Sequence, residues 1–246
     1  MVRRIAAILV FAVALVLVLI GVLFAALQST WGKEQIRALI VRQTSQFLTA
    51  QLEIRQLTGS LLRGVVLEDV RLIQHGEAIV SIAELSLSYS IRELLQDGIV
   101  VRQLRIVQPR VIAAKNEGGR WNLASIVRRQ ARDGERSGPG RPIEISTVTV
   151  VDGNVVLADP LTFGAAHVPE RYEHLNATLS FRYEPVTWAV DFADVSWSGG
   201  ASDLTVNRLA GGISNGPEGW AFRDLSVETP RSSFKLSGRI ERGGKP

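Results

Sequence analysis

The 246-residue chain has no cysteine, one methionine and three histidines. No disulfide framework, thiolate nucleophile or cysteine-built zinc site is open to it. His75, His167 and His174 fall in turn or loop contexts, without the spacing that places two ligands on one helix face. The His-x6-His interval between His167 and His174 matches no ligand signature. No G-x-S-x-G, P-loop, G-x-G-x-x-G or H-E-x-x-H occurs, and the acidic residues are scattered over strand faces and turns. No catalytic constellation emerges, so neither an enzyme nor a cofactor or metal is expected. Charge of one sign is not concentrated either. The net charge is +4, with basic and acidic residues interleaved. That excludes a nucleic-acid-binding arm and leaves solubility and mild attraction to anionic headgroups as the reading of the basicity. Asn176-Ala177-Thr178 fits the glycosylation sequon, a triplet common by chance.

What the chain does have is one long apolar run, Ile5 to Leu27, centred near Leu15 and free of charge and proline. As a helix it would extend roughly 34 Å, against a bilayer core of roughly 30 Å. It is longer than a cleavable signal segment, and Ala25-Ala26-Leu27-Gln28-Ser29 is a poor cleavage site. The expectation is a single-pass signal anchor, residues 1–30, with Trp31 as the interfacial aromatic. Arg3 and Arg4 before the run are nearly balanced by Lys33, Arg37 and Arg42 after it, so charge alone does not decide the side. Residues 31–50 read as an amphipathic helix. Ile36, Leu39, Ile40 and Phe47 share one arc, and the helix either lies on a membrane surface or packs on the following domain.

From Gln51 the period changes to that of strands. Leu85, Leu87 and Tyr89 alternate with polar residues, and so do Leu179, Phe181, Trp188, Val190 and Phe192. Ser90-Ile91-Arg92-Glu93 is a capping-box signature for a short helix over Ile91–Asp97. Asn122 is placed to cap a second, from Leu123 to about Gln130. Residues 131–142 form a polar, glycine- and proline-rich loop that separates β-rich segments 51–130 and 143–246. Asp152-Gly153-Asn154 reads as a hairpin turn. A weak repeat of the form apolar-x-Asp-apolar-x-apolar recurs at Leu67–Leu72, Phe192–Trp197 and Phe222–Val227, and predicts a change of face at each Asp.

Ten or more alternating strands have too few helices to cover them. A sandwich, a barrel, or one long sheet covered by ligand would each satisfy the pattern. Repetition without a closing signal favours the third. The fold class expected is mainly β: a transmembrane helix, an amphipathic helix, then an extended, curled, groove-like sheet of repeated strands with a few short helices.

Gly59-Ser60-Leu61-Leu62-Arg63-Gly64-Val65-Val66-Leu67-Glu68-Asp69-Val70 resembles the G-S-L-x-x-G-x-x-L-x-D-V signature of TamB proteins. These are the inner-membrane subunits of the translocation and assembly module, in the AsmA-like superfamily. Asn116 to Leu123 is similar to that superfamily's N-x-x-G-x-W-N-L run. The resemblance covers about residues 1–130, and only generically the remainder. It implies a protein anchored in the bacterial inner membrane with its bulk in the periplasm. It also implies a β-groove carrying phospholipid between inner and outer membranes, and a part in outer-membrane biogenesis with a barrel partner. The family's C-terminal domain has no counterpart here, which reads as a fragment or truncated product. Leu85, Leu87, Tyr89, Leu179, Phe181, Trp188, Val190 and Phe192 are the expected lipid-facing residues, with inner-membrane phospholipid as the partner. The competing expectation is a scaffold or chaperone for envelope assembly or secretion, in which the same faces form a dry core.

Overall fold

A computed structural model describes residues 29–60, 63–90, 99–116, 118–126, 142–159, 162–163, 166–167, 169–199 and 205–241. The first element is a helix, α1 (Thr30–Phe47). Ser29 starts it from an extended conformation, its Oγ accepting from Gly32 N at 3.1 Å, which satisfies one of the free N–H groups of the first turn. The strands follow: β1 (Gln51–Ser60), β2 (Gly64–Gln74), β3 (Glu77–Tyr89), β4 (Ile99–Val107) and β5 (Arg110–Ala113). A four-residue helix, α2 (Asn122–Ser125), precedes β6 (Ile143–Leu157). A two-residue ladder, β7 (Thr162–Phe163) with β8 (Ala166–His167), leads to β9 (Arg171–Glu184). The chain closes with β10 (Thr187–Gly199), β11 (Val206–Gly216), β12 (Gly219–Glu228) and β13 (Ser233–Glu241).

Eleven strands form one sheet in the order β1-β2-β3-β4-β6-β9-β10-β11-β12-β13, with β5 beside β3 and β6. Sequence neighbours pair through tight turns, so most joints are antiparallel. The exceptions are β4 and β5, which both run parallel to β6 across the long 114–142 connection. The glycines of the first hairpin are required sterically. A Cβ on Gly64 would lie 2.5 Å from Leu87 O, and Gly59 has φ +87°.

Several expectations are corrected. Among the described residues no helix is long and apolar enough to cross a membrane. Ile5, Leu15 and Leu27 lie outside those residues. Trp31 stands in the first turn of α1. The 18-residue α1 carries Lys33, Glu34, Arg37 and Arg42, charges that a bilayer core does not accept. The transmembrane helix, the signal anchor and the single-pass inner-membrane placement are therefore not carried forward. The expected set of short helices reduces to α2 among the described residues; the helix expected over Ile91–Asp97 and the 131–141 part of the loop fall outside them. Asn122 opens α2 rather than preceding it.

The hairpin expected at Asp152-Gly153-Asn154 is instead the middle of one continuous strand, β6. Asp152 does take the left-handed conformation of a turn, with φ 53°. Side chains from both sides hold it as a bulge: Gln108 Nε2 donates to its Oδ2 at 3.2 Å, and Asn176 Oδ1 accepts from its N at 3.1 Å. One left-handed residue serves a turn or a bulge equally, so the local signal could not separate them.

Similar re-phasing crosses the sheet. Asp69 and Asp224 have φ 50° and 45°, and the β9–β10 register shifts between Phe192 and Asp194. All three copies of the Asp repeat lie in strands. The register shifts at two of them, keeping Phe192 with Val195 and Phe222 with Leu225 on one side; at the third Asp69 is left-handed while the β2–β3 register runs through unshifted.

Candidate functional site

The register places an unbroken row of apolar residues across the sheet: Leu57, Leu67, Leu85, Ile106, Val150, Ala177, Val195, Leu209, Val227 and Phe234, one from each successive strand. A second row on the same face runs Tyr89, Val101, Ile145, Phe181, Val190, Ile213 and Phe222. Between them lie Val65, Leu87, Leu104, Val148, Leu179 and Phe192. Beyond the second row come Ile99, Ile143, Tyr183, Trp188, Asn215, Trp220 and Ile240. At about 4.8 Å per strand the rows extend roughly 43 Å across the sheet.

All eight residues singled out from the sequence, Leu85, Leu87, Tyr89, Leu179, Phe181, Trp188, Val190 and Phe192, share this face, and each is half-buried. Sequence reasoning did not single out Asn215, Trp220 and Phe222, which continue the same rows. The alternation of Trp220 with Phe222 carried the signal. Trp188 and Trp220 meet edge to face, with ring centroids 5.3 Å apart, and Tyr172 meets Trp197 at 6.0 Å. Burial pushes the Tyr89 and Tyr172 phenols above their ordinary value, as expected of hydroxyls held against an apolar surface.

The opposite face is polar. Ion pairs there include Asp69 with Arg71 at 2.9 Å, and Asp191 with Arg223. His174 Nδ1 lies 2.8 Å from Asp152 Oδ1, and with Gln108 it holds the Asp152 carboxyl below its usual range. His75 lies in the β2–β3 turn, His167 in β8 and His174 in β9. Among the described residues no three His, Cys, Asp or Glu side chains converge as a metal site.

No second sheet lies over the apolar face among the described residues. Cover is local, at its first strands. Ala50, Ile79 and Ile126 are buried, with Leu48, Leu72 and Val80 packed against them. Thr49 ties this cluster to α2, its N donating to Ile126 O at 2.7 Å. The Asn116–Leu123 motif builds the plug. Asn122, 9% exposed, donates to Ile112 O at 2.9 Å and accepts from Ala114 N and Leu123 N. Asn116 Oδ1 accepts from Gly118 N and Arg120 N. These residues do structural work and present no reactive group. α1 packs on β1, where Arg37 Nη1 donates to Ile54 O at 2.5 Å.

At the far strands a cavity of about 540 Å³ draws its lining from both faces around the β9–β10 and β11–β12 turns, with Trp188, Asn215, Trp220, Arg182 and Arg239 among its walls. Of the eight expected residues only Trp188 lines it. The chain matches no protein-family model and no curated protein.

Proposed function

We propose that the apolar face holds phospholipid acyl chains and passes them from strand to strand, as a conduit for phospholipid transport between inner and outer membranes in outer-membrane biogenesis. The observation that carries this reading is the continuous apolar row across ten strands, with no second layer over most of it among the described residues. An apolar face of this extent, only half-buried by its own chain, calls for an occupant. Size agrees. The four rows span roughly 20 Å along the strands at 3.4 Å per residue. An acyl chain occupies about half of a bilayer core, roughly 15 Å. The resemblance of Gly59–Val70 and Asn116–Leu123 to the TamB motifs points the same way, and with it an outer-membrane barrel protein as partner.

Photo-crosslinking from Phe181 and Val190 in cells tests the reading. The expected result is crosslinked phospholipid, falling steeply when a neighbouring row residue such as Phe192 is replaced by Asp. Crosslinks to protein alone would overturn it in favour of an assembly scaffold.

A further inference from the structure

The row of the apolar face nearest the β9–β10 and β11–β12 turns contains one residue unlike its neighbours. Asn215 stands between Trp188 and Trp220 in the ladder, and it is the one amide in the four rows. Among the described residues two buried side-chain nitrogens have no hydrogen-bond partner: Asn215 Nδ2 and, at the opposite edge of the face, Trp197 Nε1. Burying an amide N–H without an acceptor is unfavourable, and an apolar side chain of similar size would avoid it. The surroundings are built around the amide. Trp188 and Trp220 lie two strands apart, roughly 10 Å at the backbone. Their ring centroids are only 5.3 Å apart, so the rings lean in over Asn215. The same three residues wall the cavity of about 540 Å³.

The amide lacks an acceptor, and its neighbours say of what kind. From Asn215 the apolar face continues along β11 through Ile213 and Gly211 to Leu209, which pair with Val190, Phe192 and Val195. That path is roughly 20 Å long at 3.4 Å per residue, enough for an acyl chain of roughly 15 Å. An acyl chain laid there brings its own acceptor at one end. In a glycerolipid that acceptor is the ester carbonyl. A fatty-acid carboxylate would place one at the same point, but the cavity walls hold three glutamates, Glu184, Glu218 and Glu241, against two arginines, Arg182 and Arg239. A bare negative charge is not favoured there. The two indoles suit the same level, since such rings prefer the junction between hydrocarbon and polar groups.

We infer that Asn215 is a lipid-ester recognition residue: a glycerophospholipid lies with its ester groups between Trp188 and Trp220, where the Asn215 amide donates to an ester carbonyl. The acyl chains then run along the strands toward Leu209 and Val195, and the headgroup leaves over the β9–β10 and β11–β12 turns. Trp220 is 43% exposed, so its ring is free to swing aside and admit the glycerol end. The inference rests on the acyl-chain reading of this face and adds to it an orientation and a point of contact.

The test is a competition read by native mass spectrometry on the full chain in a mild detergent. Equal amounts of dioleoyl-phosphatidylethanolamine and its diether analogue, which has the same headgroup and chains but no ester carbonyl, are offered together. The wild type is expected to retain the diester over the diether by about fivefold, the worth of one hydrogen bond. Asn215→Leu removes an unpartnered donor, is expected to fold at least as stably, and is expected to hold both lipids in a ratio near one. Asn215→Asp keeps the shape but cannot donate, and is expected to lose the preference in the same way. Added oleate is expected to leave the diester bound. A wild type that holds both lipids equally overturns the role of Asn215 and leaves the acyl-chain reading standing. Variants that keep the preference do the same, and so does oleate that displaces the diester. A wild type that retains neither lipid overturns both.

Discussion

The first and last strands of the sheet carry the same kinds of residue with opposite fates. Near β1–β3, Ile79 and Ile126 are 7% and 9% exposed, closed over by residues 48–50 and α2. Near β12–β13, Trp220 and Ile240 are 43% and 60% exposed. Composition does not distinguish them. What distinguishes them is whether another stretch of the chain returns to lie on top, and that is set by long-range bonds such as Thr49 to Ile126. The closed end is built for stability, and the open end leaves its apolar surface for something else.

The largest expected effect lies in the backbone of the first hairpin. Gly64→Val forces a Cβ to within 2.5 Å of Leu87 O, and costs more than about 4 kcal/mol or prevents folding. Gly76→Ala is the control. Gly76, unlike Gly64, has positive φ, with nothing within 4 Å of an added Cβ, and its substitution costs only about 1 kcal/mol. Equal losses in chemical denaturation would show that the close approach at Gly64 is relieved by a small shift of the backbone and costs no more than the strain at Gly76.

The comparison itself is tested by Ile126→Ala against Ile240→Ala. The first leaves a cavity in the plug and is expected to lower unfolding free energy by about 2–4 kcal/mol. The second removes an exposed side chain and is expected to change it by about 0.5 kcal/mol or less. Similar losses at both would mean that the β13 end is covered in solution.

A smaller gain is expected at the β9–β10 turn. Val186 has φ 70° and is 66% exposed after Pro185, a place where a type II turn calls for Gly or Asn. Val186→Asn is expected to raise stability by about 1 kcal/mol, seen as a higher denaturant midpoint. No change would show that the turn adopts another conformation.

The smallest effect is in the pH profile. Burial raises the Tyr172 phenol above its ordinary value near 10. Its neutral form therefore contributes stability that is present in full below about pH 10 and is lost as pH rises through the folded value. Tyr172→Phe is expected to flatten that alkaline loss in a stability-against-pH series. An unchanged slope would assign the loss elsewhere.

Much of this was written locally. The alternation from Leu175 to Tyr183 names the apolar face of β9, because side chains on a strand point to opposite sides in turn. At two of its three copies the Asp repeat marked real changes of face, since a short polar side chain tolerates the left-handed conformation that a bulge requires. The two glycine-bearing motifs mark a tight hairpin and a plug. Local pattern failed where two structures use one signal: at Asp152 a bulge had the letters of a turn.

By itself, then, the sequence determined which residues alternate, where strands change face, and that the faces are apolar on one side and polar on the other, because each of these depends on neighbours a few positions apart. Only the tertiary structure decided that ten strands align those faces into one row, that β4 and β5 join β6 in parallel, that α1 packs on β1, and that the plug covers the first strands. Those outcomes depend on pairings between residues dozens of positions apart, whose register is set by the whole sheet at once.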